Sequence, residues 1–444
     1  DVVGVGRNAA GEATATLYRN DGQGQFTAVD AGLTGVLDGG DAAWGDVDQD
    51  GDPDLVITGE TSDGIPSTTL YENDGTGALT PTAANLTGLA ASAAAWGDYN
   101  GDGALDLFIH GDDGAGAPVA LLYRNDGTGT LLPADVAITG RVSGPSADWG
   151  DFNGDGRLDL AINGGSSEGA TATLYRNDGS SVFTPLGLGM TGTSAGAIRW
   201  GDFNSDGRYD LAITGDTNGP AADGAFAALY RNDGNEQFVP LNAGLTGARG
   251  GSAEWGDFNA DGRPDLVVSG DTTDAGDGDT PDGRSTTLYR NDGDGLFTAL
   301  DIGLTATGGS ATWTDANGDG ALDILVTGLD AEGTPQTTLF RNGVTPLTRT
   351  PGEINYGRRG LADSLTQTVT VANGGTLSRE VLLSLEDGTA FSIEGTASRT
   401  IAPGTSIDVE VTFAPPEAAT WSDRLLVVAP TLPPASRSEE RRVG

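Results

Sequence analysis

Short runs of alternating apolar and polar residues recur along this chain in a fixed order. One kind follows an acidic stretch and ends in glycine, as in Asp54-Leu-Val-Ile-Thr-Gly59. A second ends in Trp-Gly, at Trp44, Trp96, Trp149, Trp200 and Trp255, with Trp313 followed by Thr. A third reads Thr-Leu-Tyr-Arg or close to it, at Tyr18, Tyr71, Tyr123, Tyr175, Tyr230, Tyr289 and, as phenylalanine, Phe340. A fourth, such as Gln25-Phe-Thr-Ala28, completes the unit. Alternation of period two between turn residues predicts a short strand each time. The Asn-Asp-Gly steps between the third and fourth runs, beginning with Asn20–Gly22, suit the positive φ values of tight hairpins.

The acidic stretches start 52, 53, 51, 55 and 58 residues apart, which marks a repeat architecture. Four short antiparallel strands per unit, repeated radially, make a β-propeller blade. The second and third strands occur seven times and the first six times, because the chain begins after it. The expectation is an all-β chain, with a seven-bladed propeller over residues 1–350 whose first blade is truncated. From residue 351 the repeat stops. Leu365–Ala372, Leu377–Leu385, Ser406–Phe413 and Leu425–Val428 are extended runs with turns at Asn373–Gly375 and Pro403–Gly404 between them. They predict a small immunoglobulin-like antiparallel sandwich over 351–431. The tail, 432–444, ends in an Arg437–Gly444 segment resembling a translated sequencing adapter, and is set aside.

Each acidic stretch reads D-x-[DN]-x-D-G-x-x-D. The candidate oxygen ligands are Asp46, Asp48, Asp50 and Asp54; Asp98, Asn100, Asp102 and Asp106; and Asp151, Asn153, Asp155 and Asp159. The later copies supply Asp202, Asn204, Asp206 and Asp210; Asp257, Asn259, Asp261 and Asp265; and Asp315, Asn317, Asp319 and Asp323. Hard carboxylate and amide oxygens closing on one point suit Ca²⁺, and glycine at the sixth position allows the turn. About six structural Ca²⁺ sites are expected. An EF-hand would place Glu at position 12 and continue as a helix; here position 12 is Ile57, Ile109, Ile162, Ile213, Val268 or Val326.

Composition narrows the chemistry. A net charge of −41 disfavours nucleic acid as a partner. The 23 basic residues are all Arg, there is no Cys, and His110 is the single histidine. Thiol chemistry, nucleophilic triads and three-histidine metal sites are thereby excluded, and a carboxylate pair is the remaining catalytic option. No apolar run approaches the ~20 residues of a membrane-spanning helix. The repeated Trp and Tyr positions read as core between blades, His110 as one member of a polar slot, and the third-strand arginines as partners of nearby acidic loops.

The acidic loops, the Trp-Gly-Asp step and the Leu-Tyr-Arg-Asn-Asp-Gly hairpin resemble FG-GAP/VCBS repeats, the blades of integrin-α-like propellers. Ile354–Gly357, Phe391–Ile393, Ala402–Gly404 and Val409–Pro415 are similar to choice-of-anchor D modules. The resemblance implies a secreted or surface-attached bacterial protein, stabilised by Ca²⁺ and active in adhesion or recognition. The partner expected is a protein or glycan at the cell surface, bound by a monomer through variable loops opposite the Ca²⁺ loops, chiefly Gly215–Ala225 and Gly270–Arg284. On this reading the chain is not an enzyme. The alternatives are a polysaccharide-active enzyme or its accessory domain, and a passive spacer. Two acids with an Arg or Tyr in the central channel would favour the enzyme.

Overall fold

The computed structural model describes residues 1–342 apart from 9, 167–168, 218–223, 273–282, 306 and 330–333, and thereafter 347–350, 364–373, 379–385, 390–396, 398–402, 405–414 and 425–428. Every named element is a β-strand. The chain separates into two compact units: residues 1–256, 264–316 and 324–340 form the first, and 257–263, 317–323 and 341–444 the second.

The first unit is a series of small antiparallel sheets in chain order. In a typical one, Ser92–Gly97, Asp106–Asp112, Pro118–Asn125 and Leu131–Ala134 pair as successive neighbours. The sheets before and after it repeat this order, with three strands at Val2–Val29 and again at Ala311–Phe340. The first strands of consecutive sheets, Asp41–Gly45, Ser92–Gly97, Ser143–Gly150, Ile198–Gly201, Ala253–Gly256 and Ala311–Thr314, lie side by side, whereas the fourth strands do not. First strands are therefore innermost. Second strands are buried on both faces, as at Leu107, Phe108 and Ile109.

The Trp-Gly motif is explained by this stacking. A Cβ on Gly97 would lie 2.7 Å from the Trp149 ring, and one on Gly150 2.8 Å from Trp200. The indole of each sheet covers the glycine of the sheet before it. Its Nε1–H donates to the same preceding strand: Trp96 to Ala43 O at 3.2 Å, Trp149 to Ala95 O at 3.3 Å and Trp313 to Glu254 O at 3.0 Å. The repeated tyrosines act likewise, as the sequence suggests. Tyr71, Tyr123, Tyr175, Tyr230 and Tyr289 accept the main-chain N–H of Thr34, Thr87, Thr139, Thr191 and Thr246. Sequence reading overlooked those threonines, although each sits in a recurring Thr-Gly step.

A third junction uses the asparagine that ends the third strand. Asn125 Nδ2 donates to Val47 O, Asn177 to Tyr99 O, Asn232 to Phe152 O and Asn291 to Phe203 O, all at 2.6–2.7 Å. Each acceptor is the second residue of the acidic loop in the preceding sheet. Asn20 makes the same bond, at 2.7 Å, to Ala316 O in the last of the series.

In the second unit, Leu347–Thr350, Leu365–Asn373, Thr405–Phe413 and Phe391–Ile393 form one sheet, and Ser398–Ile401, Arg379–Leu385 and Leu425–Val428 another. Val369, Val371, Val409 and Val411 from the first share an apolar cluster with Val381, Leu383 and Ile401 from the second. The Ile354–Gly357 and Pro403–Gly404 motifs, Trp421 and the 432–444 tail lie outside the described residues. Among the described residues no helix is long and apolar enough to cross a membrane.

Candidate functional site

Each acidic loop is wound by its own side chains. The first aspartate accepts two or three turn N–H groups: Asp46 from Asp50 and Gly51 at 3.1 Å each, and Asp98 from Gly101 at 2.8 Å, Asp102 at 3.1 Å and Gly103 at 2.8 Å. Asp151, Asp202 and Asp257 repeat the pattern. The third residue caps the fifth, as Asn100 Oδ1 does for Asp102 N at 2.9 Å. The fifth caps the seventh, as Asp155 Oδ1 does for Arg157 N at 3.0 Å. Such short side-chain-to-backbone bonds are what Asp and Asn do in turns. The sixth-position glycines all have positive φ, between 83° and 96°. These bonds leave second lone pairs on oxygens that converge: ligand atoms of Asp46, Asp48 and Asp50 all lie within 4.8 Å of one another.

The ninth aspartate is placed differently. Asp54, Asp106, Asp159, Asp210, Asp265 and Asp323 are fully buried. They tie the loop to the third strand: Asp106 Oδ1 accepts Asn125 N at 2.8 Å and its Oδ2 accepts Tyr99 N at 3.2 Å. Burial, with repulsion from Asp102 and Asp98, pushes the Asp106 carboxyl up to about 6. Burial also raises Asp159 to about 7, aided by Asp155 and Asp151, and Asp210 to about 7, aided by Asp206 and Asp202. Oδ2 of Asp210 is buried without a hydrogen-bond partner. In the Asp202 loop, the mutually repelling carboxylates of Asp202, Asp206 and Asp210, with one Asp210 oxygen lacking a hydrogen-bond partner, fit a hard divalent cation.

The loops are not equivalent, as the shared motif suggests they are. In three of them the seventh residue is arginine, and it reaches back to the fifth: Arg157 to Asp155 at 2.5 Å, Arg263 to Asp261 at 2.5 Å, and Arg208 to Asp206. Asp52, Ala104 and Ala321 stand there in the others. The third-strand arginines mostly pair with their own hairpin aspartates, as Arg231 with Asp233 at 2.6 Å and Arg290 with Asp292 at 2.7 Å, while Arg124 alone among the described pairs reaches one of the acidic loops, at Asp102. At the other end of the sheets, Thr217 N donates to Gly224 O and Thr272 N to Gly283 O, pinching the bases of the two long loops; most of each loop lies outside the described residues.

A second polar group was missed in the sequence. The residue before each inner tryptophan is Ala43, Ala95, Asp148, Arg199, Glu254 or Thr312. Three consecutive ones are charged and meet on the innermost strands. Arg199 Nε donates to Glu254 Oε1 at 2.9 Å, and Nη1 to Ser146 Oγ at 3.1 Å. Asp148 accepts Trp149 N at 3.0 Å and Trp200 N at 2.8 Å, and burial pushes its carboxyl up to about 6 against the pull of Arg199. Comparing the position before Trp across repeats would have found it.

A model of the FG-GAP-like repeat matches residues 1–57, 46–109, 98–162 and 202–268, together more than half of the chain. No curated protein matches significantly. Among solved structures, an Agrocybe aegerita lectin that recognises non-reducing terminal N-acetylglucosamine aligns with 77% of this chain and 90% of its own, at 17% identity and a TM-score of 0.50. An exo-beta-1,3-galactanase from Phanerochaete chrysosporium aligns with 93% and 100%, at 12% identity and a TM-score of 0.31. A family 43 arabinoxylan arabinofuranohydrolase from Bacillus subtilis aligns with 93% and 98%, at 14% identity and a TM-score of 0.31. The expectation that the chain is not an enzyme is withdrawn, since glycoside hydrolases are among the matches. Likeness at that level specifies no reaction. The repeat matches and the recurring loop do settle the family: this chain belongs to the FG-GAP-like repeat family.

Proposed function

We propose that this chain is a cation-braced, seven-bladed β-propeller followed by an immunoglobulin-like module, acting outside the cell in glycan recognition as part of a polysaccharide-active system. The reading rests on the oxygen cage of Asp46, Asp48 and Asp50, repeated with Asn at the third position in the other loops. Ca²⁺ there would cancel carboxylate repulsion and stiffen one rim, leaving the opposite loops on a rigid scaffold for recognition. The Asn20–Ala316 bond supports a ring of seven, because it joins the ends of the series as neighbours. The lectin's fold supports a saccharide as the ligand class.

A second reading is catalytic, and the Asp148–Arg199–Glu254 group favours it. Two carboxylates on the inner strands, one of them raised by burial to about 6, are the residue types that glycoside hydrolysis by a carboxylate pair uses. One experiment separates the readings. The full chain, with Ca²⁺ and with chelator, is applied to an array that includes terminal N-acetylglucosamine, β-1,3-galactan and arabinoxylan, and reducing-sugar release is followed. Ca²⁺-dependent binding without release supports recognition. Release abolished by Glu254→Gln supports catalysis. Neither binding nor release on any polysaccharide would overturn both.

A further inference from the structure

His110 sits near the end of its second strand, in a register that elsewhere holds Thr58, Asn163, Thr214 and Ser269. Its counterpart in the next connection is the residue after the Thr-Gly step: Val36, Leu89, Thr193 or Ala248 elsewhere, and Arg141 here. One sheet further on, the two slots satisfy each other. Asn163 Nδ2 donates to Thr193 Oγ1 at 2.6 Å, and Thr193 N to Asn163 Oδ1 at 2.9 Å.

At His110 and Arg141 that complementarity is gone. Both side chains are buried, at 0% and 6% exposure. Nδ1 and Nε2 of His110 and Nε of Arg141 have no hydrogen-bond partner; these are three of the six such buried atoms among the described residues. The remaining Arg141 nitrogens donate to neutral groups, Nη1 to Thr139 O and Gly140 O and Nη2 to Thr173 Oγ1, each at 2.9 Å. The Ser146 main chain lies beside the imidazole and favours its protonated form, but neither ring nitrogen reaches hydrogen-bond geometry with it. Burial first, and the Arg141 charge second, hold the ring neutral, pushed down to about 3. A buried guanidinium among neutral partners is costly, and unmet buried donors add to the cost.

We propose that the His110–Arg141 slot binds one small monovalent anion of the size of chloride, held by Arg141 Nε–H and the imidazole N–H. The proposal is independent of the glycan reading and of the cation loops. Water is the competing occupant: it would satisfy the hydrogen bonds but leave the guanidinium charge unbalanced.

The test uses the full chain in Ca²⁺ buffer at constant ionic strength. Gluconate is replaced stepwise by chloride, and in a parallel series by bromide, while the melting temperature is followed. The expected result is a saturable rise with either halide. Arg141→Leu, which installs the residue of the Leu89 slot, should abolish the rise. His110→Asn, which installs that of the Asn163 slot, should weaken the halide response several-fold and covers the case in which the Arg141 variant fails to fold. Anomalous diffraction from bromide-soaked crystals should place a peak beside Arg141 Nε. A melting temperature indifferent to halide, or an equal response in wild type and both variants, would overturn the site in favour of water.

Discussion

The Asn20 side chain donates a 2.7 Å hydrogen bond to the main-chain oxygen of Ala316, 296 residues away. The bond is chemically the same as the one Asn125 makes to Val47 between adjacent sheets. It joins the three-stranded first sheet to the last sheet of the series. Removing it by Asn20→Ala should destabilise the chain by roughly 1–2 kcal/mol, the cost of leaving a partly buried acceptor unpaired. Asn125→Ala strips bonds to Val47 O and Leu105 O from a fully buried site and should cost more, about 2–4 kcal/mol. Urea unfolding of the two variants checks both. A neutral Asn20→Ala would mean that the terminal sheets are not held through this bond.

The Trp-Gly step makes a steric prediction. Gly97→Ala drives a methyl to 2.7 Å from the Trp149 ring, so the indole must shift and its 3.3 Å bond to Ala95 O must lengthen. Over-packing of this kind costs about 1–3 kcal/mol. Gly187→Ala, where no atom lies within 4 Å of the new methyl, is the control and should be close to neutral. Equal melting temperatures for the two variants would discard the interleaved-indole account.

Chelation and pH should be coupled. Without a cation, burial holds Asp106, Asp159 and Asp210 at about 6, 7 and 7, above the ordinary carboxylate value. The native chain then keeps protons that the unfolded chain releases from about pH 4 upward. Stability from these groups is fully present below about pH 4 and is lost as pH rises through 6 to 7. A bound cation favours the ionised form and reverses the trend. Melting temperatures in chelator and in Ca²⁺ should diverge steadily from acid to neutral pH. Parallel curves would show that these carboxylates do not hold the ion.

The loops should also differ in affinity. Arg157, Arg208 and Arg263 already offset charge at the fifth position, whereas the Asp46 loop has five aspartates and no internal arginine. Terbium luminescence should resolve a tighter class that Asp48→Ala reduces, while Arg208→Ala should move its own loop toward tighter binding. Six equal sites unaffected by either change would argue against charge as the discriminator.

The sequence alone determined the strands, their order and the loops, because those features are local. Alternation of period two, Asn-Asp-Gly hairpins and carboxylates capping their own turns act within a dozen residues. It also marked Trp149 and Tyr175 as core through their recurrence. What Trp149 packs on, and that Gly97 must be bare to receive it, depends on the neighbouring sheet. So do the Tyr175 contact with Thr139, the burial of each ninth aspartate and the bond from Asn20 to Ala316. That the Asp148–Arg199–Glu254 group and the His110–Arg141 slot come together depends on packing for the same reason: their consecutive members are 31 to 55 residues apart and meet only when one repeat is laid against the next. Chain-local chemistry set each unit, and packing between units decided where charge and hydrogen-bonding capacity were left over.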